Sequence, residues 1–523
     1  MLPSRVCTRT MCLPAATPFW CQPPAEIHPI GSAAGRQAIL LGMKHTLLAL
    51  PFLTFLAFPL ETSATARHVP SEYPTIASAL GVSASGDSVV IACGVYSESN
   101  LQLVSGVTVC SENGDPSCVT VDAHSDGAFA GNSLSEQTTI RGITIQNAEE
   151  GGGAGLRCIT DSVVRVFNCV FSNNRATDGA AAGIAFDCDV SFYDCQFSLN
   201  RADLGEHHRG GAIYVNESRA RFERCFFDQN SATQGGAIFS FNESWIQIID
   251  CRFEGNRALS GGCIYVEGNS NLFVEDSQFD SNEAFSTKDS GGTGGAVIAR
   301  TGASLVLTHS SFSGNRAAIG GAIAALAGSR MNLNDCVLVL NEAEAGGALN
   351  VTSGLFSIGG ALFWNNKATD GSGGAALFVQ ASGRIESSTI HGNSAVAFGS
   401  ALFAVGSEAA IDIDSCILTR NTASEVVACQ SDARIVPQCC DVFRNEVGDW
   451  IGCWELFEGA RGNFSSDPLY CDPAEGDFAL QANSPCIPGG HVSCGLVGAF
   501  PIGCGTVSIS TSSWGRIKSL YRR

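Results

Sequence analysis

The chain has 523 residues, 59 of them Gly, and carries a formal charge of −20 at neutral pH. With 45% hydrophobic and only 15% charged residues it reads as a Gly-rich β protein long enough for a substantial core. The acidic balance argues against nucleic acid or an anionic membrane as partner and leaves cations and neutral glycans open.

Residues 1–42 match no structural pattern and are expected to be a gene-model extension or a disordered leader. Residues 43–66 read as a signal peptide: Met43 opens it, Lys44 supplies the positive end, Leu47 to Leu60 the apolar run and Ala64-Thr65-Ala66 a cleavage site. The run is short for a membrane span, so export without a transmembrane anchor is expected, to the extracellular space or the cell surface. Residues 67–100 are predicted to form an N-terminal cap. In it Thr75 starts a short amphipathic helix, Gly86-Asp87 turns, and Val89 to Ile91 is the first strand.

From 101 to 447 the chain repeats. An apolar residue three before an Asn recurs at Asn174, Asn200, Asn230, Asn256, Asn282, Asn315, Asn341, Asn366, Asn393, Asn421 and Asn445, at intervals from 24 to 33 residues. Between these, Gly-Gly pairs precede small and aliphatic residues, as in Gly235-Gly236-Ala237-Ile238. Short runs such as Trp245 to Ile249, bounded by Gly, Asn and Ser, read as strands, and no unit holds the long apolar periodicity of a helical repeat. The fold class is therefore all-β: a right-handed parallel β-helix of ten or more coils, each pairing with its neighbours about 4.8 Å away. The Asn column is expected to form a side-chain ladder along the stack. The apolar column (Phe171, Phe197, Phe227, Phe253 and their successors) points inward, and the small column that includes Cys225, Cys251 and Ser277 marks a tight interior position.

Residues 448–504 shift to Cys and Pro and are predicted to close the last coil. Cys453, Cys471, Cys486, Cys494 and Cys504 are the disulfide candidates, with pairing undetermined. The tail, 505–523, is Ser/Thr-rich and then basic.

A column that recurs in every coil is explained by stacking, so candidate sites are its exceptions. Asp194, Asp250 and Asp276 precede the small column. Stacked carboxylates there suit Ca²⁺, or else exposed Asp merely discourages sideways strand pairing. Two insertions break the period at one turn and place Glu206, His207, His208 and Arg209, and then Lys288 and Asp289, as candidate binding residues or ordinary loop. No Gly-x-Ser-x-Gly, His-Glu-x-x-His, phosphate loop or Cys-x-x-Cys stands in the sequence, so no catalytic residue is assigned.

The Gly-Gly-Ala-Ile and Phe-x-x-Asn signatures, over Asn168 to Asn421, resemble the polymorphic outer-membrane protein repeat. The opening from Val69 to Tyr96 resembles that of secreted β-helix proteins of the pectin lyase-like superfamily. These resemblances imply an exported structural or binding protein, adhesin-like or glycan-binding, with an extracellular glycan or a surface or matrix protein as partner and a monomeric state. The alternative they leave open is a polysaccharide-active enzyme, similar to a pectate lyase or pectin esterase, that uses the acidic outer face.

Overall fold

The computed structural model describes residues 64–286, 291–491 and 494–504. The leader, the signal up to residue 63, Lys288, Asp289 and the tail lie outside them. Three long parallel sheets of 15, 13 and 14 strands wind into one β-solenoid. In a representative coil Trp245–Ile249 belongs to the first sheet, Arg252–Glu254 to the second and Ile264–Val266 to the third. Alternation does the work expected of it: Ile246, Ile248 and Phe253 are fully buried, while Trp245, Gln247, Arg252 and Glu254 face outward. Strand registers keep like over like, with Phe227 on Phe253 and Phe253 on Phe279. The rings stack at 4.6 and 4.7 Å between centroids.

The Asn residues sit at zero exposure in the turn after the second sheet, from Asn174 through Asn421. Asn256 is typical. Its Nδ2 donates to Asn282 Oδ1 (3.0 Å) and to Phe227 O (3.0 Å), and its Oδ1 accepts from the Asn230 backbone N–H and Asn230 Nδ2 (both 3.0 Å). Each amide thus serves the coils on both sides, as donor to both and as acceptor from the preceding one, which is why no other side chain of similar size serves. At the far end Asn445 donates through its backbone N–H and Nδ2 to Asp449 Oδ1, both at 3.0 Å, so Asp449 takes the place of the missing next rung.

The Gly-Gly pair is required twice over. Gly235 has φ +63°, and a Cβ on Gly236 would lie 2.1 Å from Gly262 O on the next coil. Cys169, Cys195, Cys225, Cys251, Cys336 and Cys416 are buried free thiols. Burial pushes Cys169 and Cys336 up to about 12, so they are inert packing groups.

The first strand is Ala66–Val69, one step before the expected one, and Ser88–Ile91 pairs beside it. Thr65 N–H donates to Asp87 Oδ1 (2.9 Å), so residues of the expected cleavage site are the first to join the fold. Thr75 caps the helix Ile76–Leu80 by accepting from Ser78 N–H at 3.0 Å.

The other end is a disulfide-bonded closing segment as expected, but only its first part caps the stack. The stack is capped by a short stretch in which Trp454 is buried and its Nε1 donates to Ile435 O at 3.0 Å, with Trp450 stacked on it at 5.6 Å. Beyond Phe464 the chain turns back. It runs as a strap along the outer face of the second sheet, where Phe478 packs with Val337, Val339 and Leu362, and Leu480 and Val497 pack with Ile417. Among the described residues the disulfides are Cys93–Cys118, Cys429–Cys453, Cys439–Cys494 and Cys471–Cys504. Cys486 is corrected: it is a buried free thiol that donates to Asp441 Oδ2 at 3.2 Å.

The outer face of the second sheet as candidate functional site

The second sheet presents two outward residues per coil, and their character changes along the stack. The early coils offer Gln196 and Ser198, Phe226 and Asp228, Arg252 and Glu254, Gln278 and Asp280. The late ones offer Val337 and Val339, Leu362 and Trp364, Thr389 and His391, Ile417 and Thr419. The apolar half is the part the strap covers. That switch from polar to apolar was present in the sequence as the residues flanking each inward aromatic or aliphatic position, and reading only the inward column missed it.

On the polar half, Asp228, Glu254 and Asp280 stand in register on successive coils. Arg252 reaches Glu254 Oε2 at 2.8 Å and Asp280 Oδ2 at 3.7 Å. Burial, with Glu254 adding repulsion, holds the Asp280 carboxyl up at about 6 against the pull of Arg252. Two neighbouring carboxylates in unequal surroundings are therefore available on this face.

On the covered half the strap leaves a cleft of about 220 Å³ lined by His391, Arg420, Arg444, Asp467, Tyr470 and Gln481, among others. His391 Nδ1 lies 2.8 Å from Thr419 Oγ1, which lies 3.4 Å from the Tyr470 hydroxyl. Burial, with Arg420 adding repulsion, holds the imidazole down at about 4, so it is neutral at ordinary pH.

The expected metal column has an account in backbone geometry that needs no ion. Asp194, Asp250, Asp276 and Asp335 all have φ near +50°, as do Arg224 and His309 in the same column. The turn needs a left-handed residue, and Asp tolerates that conformation better than most, so backbone geometry accounts for the Asp enrichment. Arg224 stands between Asp194 and Asp250 and binds Asp194 Oδ1 and Oδ2 at 2.7 and 3.0 Å. Among the described residues one trio of potential ligands converges, Cys93, Glu112 and Cys118, and its two sulfurs are bonded to each other.

The first insertion does not form a constellation either. Arg209 is drawn into the scaffold: its Nε and Nη2 meet Asp178 at 3.0 and 2.7 Å, and its guanidinium lies over the Tyr214 and Phe239 rings at 4.9 and 5.4 Å. His208 Nε2 donates to Gly205 O at 2.9 Å, pinning the loop, while Glu206 and His207 are exposed. In the second insertion Arg257 lies over the Phe285 ring at 4.4 Å.

Residues 126–297 and 236–345 match the family model described as right handed beta helix region. A solved structure with some likeness is a polygalacturonase from Erwinia carotovora ssp. carotovora, 12% identical, covering 71% of this chain and 94% of that one at a TM-score of 0.29. No curated protein matches the sequence.

Proposed function

We propose that the chain is an exported β-helix that binds an extended extracellular partner, a glycan or a surface or matrix protein, along the open half of the second sheet. The observation that carries this reading is the polar strip itself. Gln196, Asp228, Arg252, Glu254, Gln278 and Asp280 repeat at the coil spacing of about 4.8 Å on one flat face, a periodic array suited to a periodic ligand. The four disulfides favour an oxidising compartment. No helix among the described residues is long and apolar enough to cross a membrane. The adhesive character implied by the polymorphic outer-membrane protein repeat agrees with a binding role, and the chain is taken as a monomer.

A second reading has its own observation. Glu254 and Asp280 are adjacent carboxylates, one of them held up at about 6, and that asymmetry is what general acid and base roles in glycosidic cleavage require. A glycan array run beside hydrolase, lyase and esterase screens separates the two. Binding without turnover, weakened by Arg252→Ala, supports the first reading. Turnover abolished by Asp280→Asn or Glu254→Gln replaces it with the second.

A further inference from the structure

The cleft between the strap and the last coils carries two arginines, Arg420 and Arg444, against one carboxylate, Asp467, in a chain whose formal charge is −20. Its two arginines are placed by the repeat. Arg420 and Arg444 each occupy the position immediately before a ladder Asn, with φ +55° on consecutive coils, and so stand one coil spacing apart on the cleft wall. Arg444 meets Asp467 only at 3.9 Å and lies over the Phe443 ring at 5.1 Å. Arg420 has no ion-pair partner among the described residues.

Neutral polar groups complete the lining. Gln481 uses its Nε2 on Tyr470 O at 3.1 Å, which leaves its Oε1 to accept. The Tyr470 hydroxyl sits at the end of the His391 and Thr419 hydrogen-bond chain, and the imidazole brings no charge of its own. The strap is tied to the last coil by the Cys439–Cys494 disulfide and cross-linked within itself by Cys471–Cys504, so the cleft is preformed.

We infer that this cleft binds a small polyhydroxylated carboxylate, a sugar acid, with the carboxylate held between Arg420 and Arg444 and the hydroxyls met by Gln481 and Tyr470. Paired guanidinium groups supply charge-assisted donors in a geometry suited to a carboxylate, and neutral donors and acceptors beside them suit a ring bearing hydroxyls. The inference is independent of the open strip described above, which lies on earlier coils.

The test is calorimetric titration of the full chain with D-glucuronate, D-glucose and sodium sulfate. Saturable binding of glucuronate is expected, with glucose inert and sulfate weaker. Arg420→Gln and Arg444→Gln, both at exposed positions, should each cost about tenfold in affinity, the loss of one charge-assisted hydrogen bond. Their melting temperatures should stay at the wild-type value, which separates lost binding from lost folding. Glucose binding as well as glucuronate, or sulfate binding more tightly than either, overturns the assignment, as does a wild-type chain that binds none of them. Arg420→Gln should leave any glycan-array signal intact, so failure here and failure of the open-strip reading are told apart.

Discussion

Replacing Asn256 by Ala is the sharpest probe of what holds the coils together. The substitution deletes four hydrogen bonds, two given by Nδ2 and two accepted by Oδ1. Asn230 Nδ2 keeps its bond to Phe197 O, and Asn282 Oδ1 keeps the Asn256 backbone N–H, so those two partners are only partly deprived. The Asn230 backbone N–H, buried in the turn, loses its acceptor. An orphaned buried donor costs about 1–3 kcal/mol, and with the partial losses the total is about 3 kcal/mol. The neighbouring Arg257 is a control on the same turn. Its Nε reaches Glu283 Oε2 at 2.9 Å, but the two side chains are 56% and 41% exposed, so Arg257→Ala should cost only about 0–1 kcal/mol. Urea unfolding of the two variants beside the parent should lower the midpoint clearly for Asn256→Ala and barely for Arg257→Ala. Equal midpoints would refute the ladder as a stabilising device and would mean that the rungs merely fill space.

Asp449→Ala removes the acceptor of both Asn445 donors and should speed amide exchange in the last coil, about 1–2 kcal/mol, while leaving the coils around Asn256 unchanged. Mass mapping of the non-reduced protein should find Cys93–Cys118, Cys429–Cys453, Cys439–Cys494 and Cys471–Cys504, with Cys486 alkylated only after unfolding. A Cys225 to Cys251 link at high occupancy would count against the reduced interior column. Strap docking should depend on pH in two opposed ways. Burial, helped by Asp449 and Asp467, raises the Asp441 carboxyl from 3.8 to about 7 although the Ser466 N–H and the Cys486 thiol pull it down, so its contribution is full below about 4 and lost as pH rises through 7. The His391 imidazole is lowered from 6.5 to about 4, so its contribution is present above 6.5 and lost as pH falls through 4. Hydrogen exchange in residues 470–480 should therefore show an alkaline loosening that Asp441→Asn abolishes and an acid loosening that it leaves in place; no change in the alkaline arm would show that Asp441 is not the group responsible.

The repeat was legible because a solenoid writes its contacts into one period. A coil touches only its two neighbours, so each structural need, an amide at the ladder, a ring at the Phe column, no Cβ at Gly236, returns at the same place in every unit and rises above the background. A column can also repeat for a reason the sequence does not display. Asp250 and Asp276 read either as stacked carboxylates suited to Ca²⁺ or as exposed groups that discourage sideways pairing, and their φ of +50° and +51° adds a third reason for Asp there, a left-handed turn. Arg209 read as a candidate binding residue or ordinary loop, and Asp178, 31 residues earlier, pairs with it, a contact set by where the insertion folds.

By itself the sequence determined the β-helix, its register and its inward columns, since these follow from short-range period and alternation. The tertiary structure alone decided what lies over the outer faces. The strap carries no repeat, and its partners, Val337 with Phe478 or Asp441 with Cys486, are separated by chain lengths that no local pattern constrains. The cleft at Arg420 and Arg444 exists only because that irregular segment returns across coils laid down earlier. Its position is fixed by packing and disulfides between distant residues, which is information that periodicity does not hold.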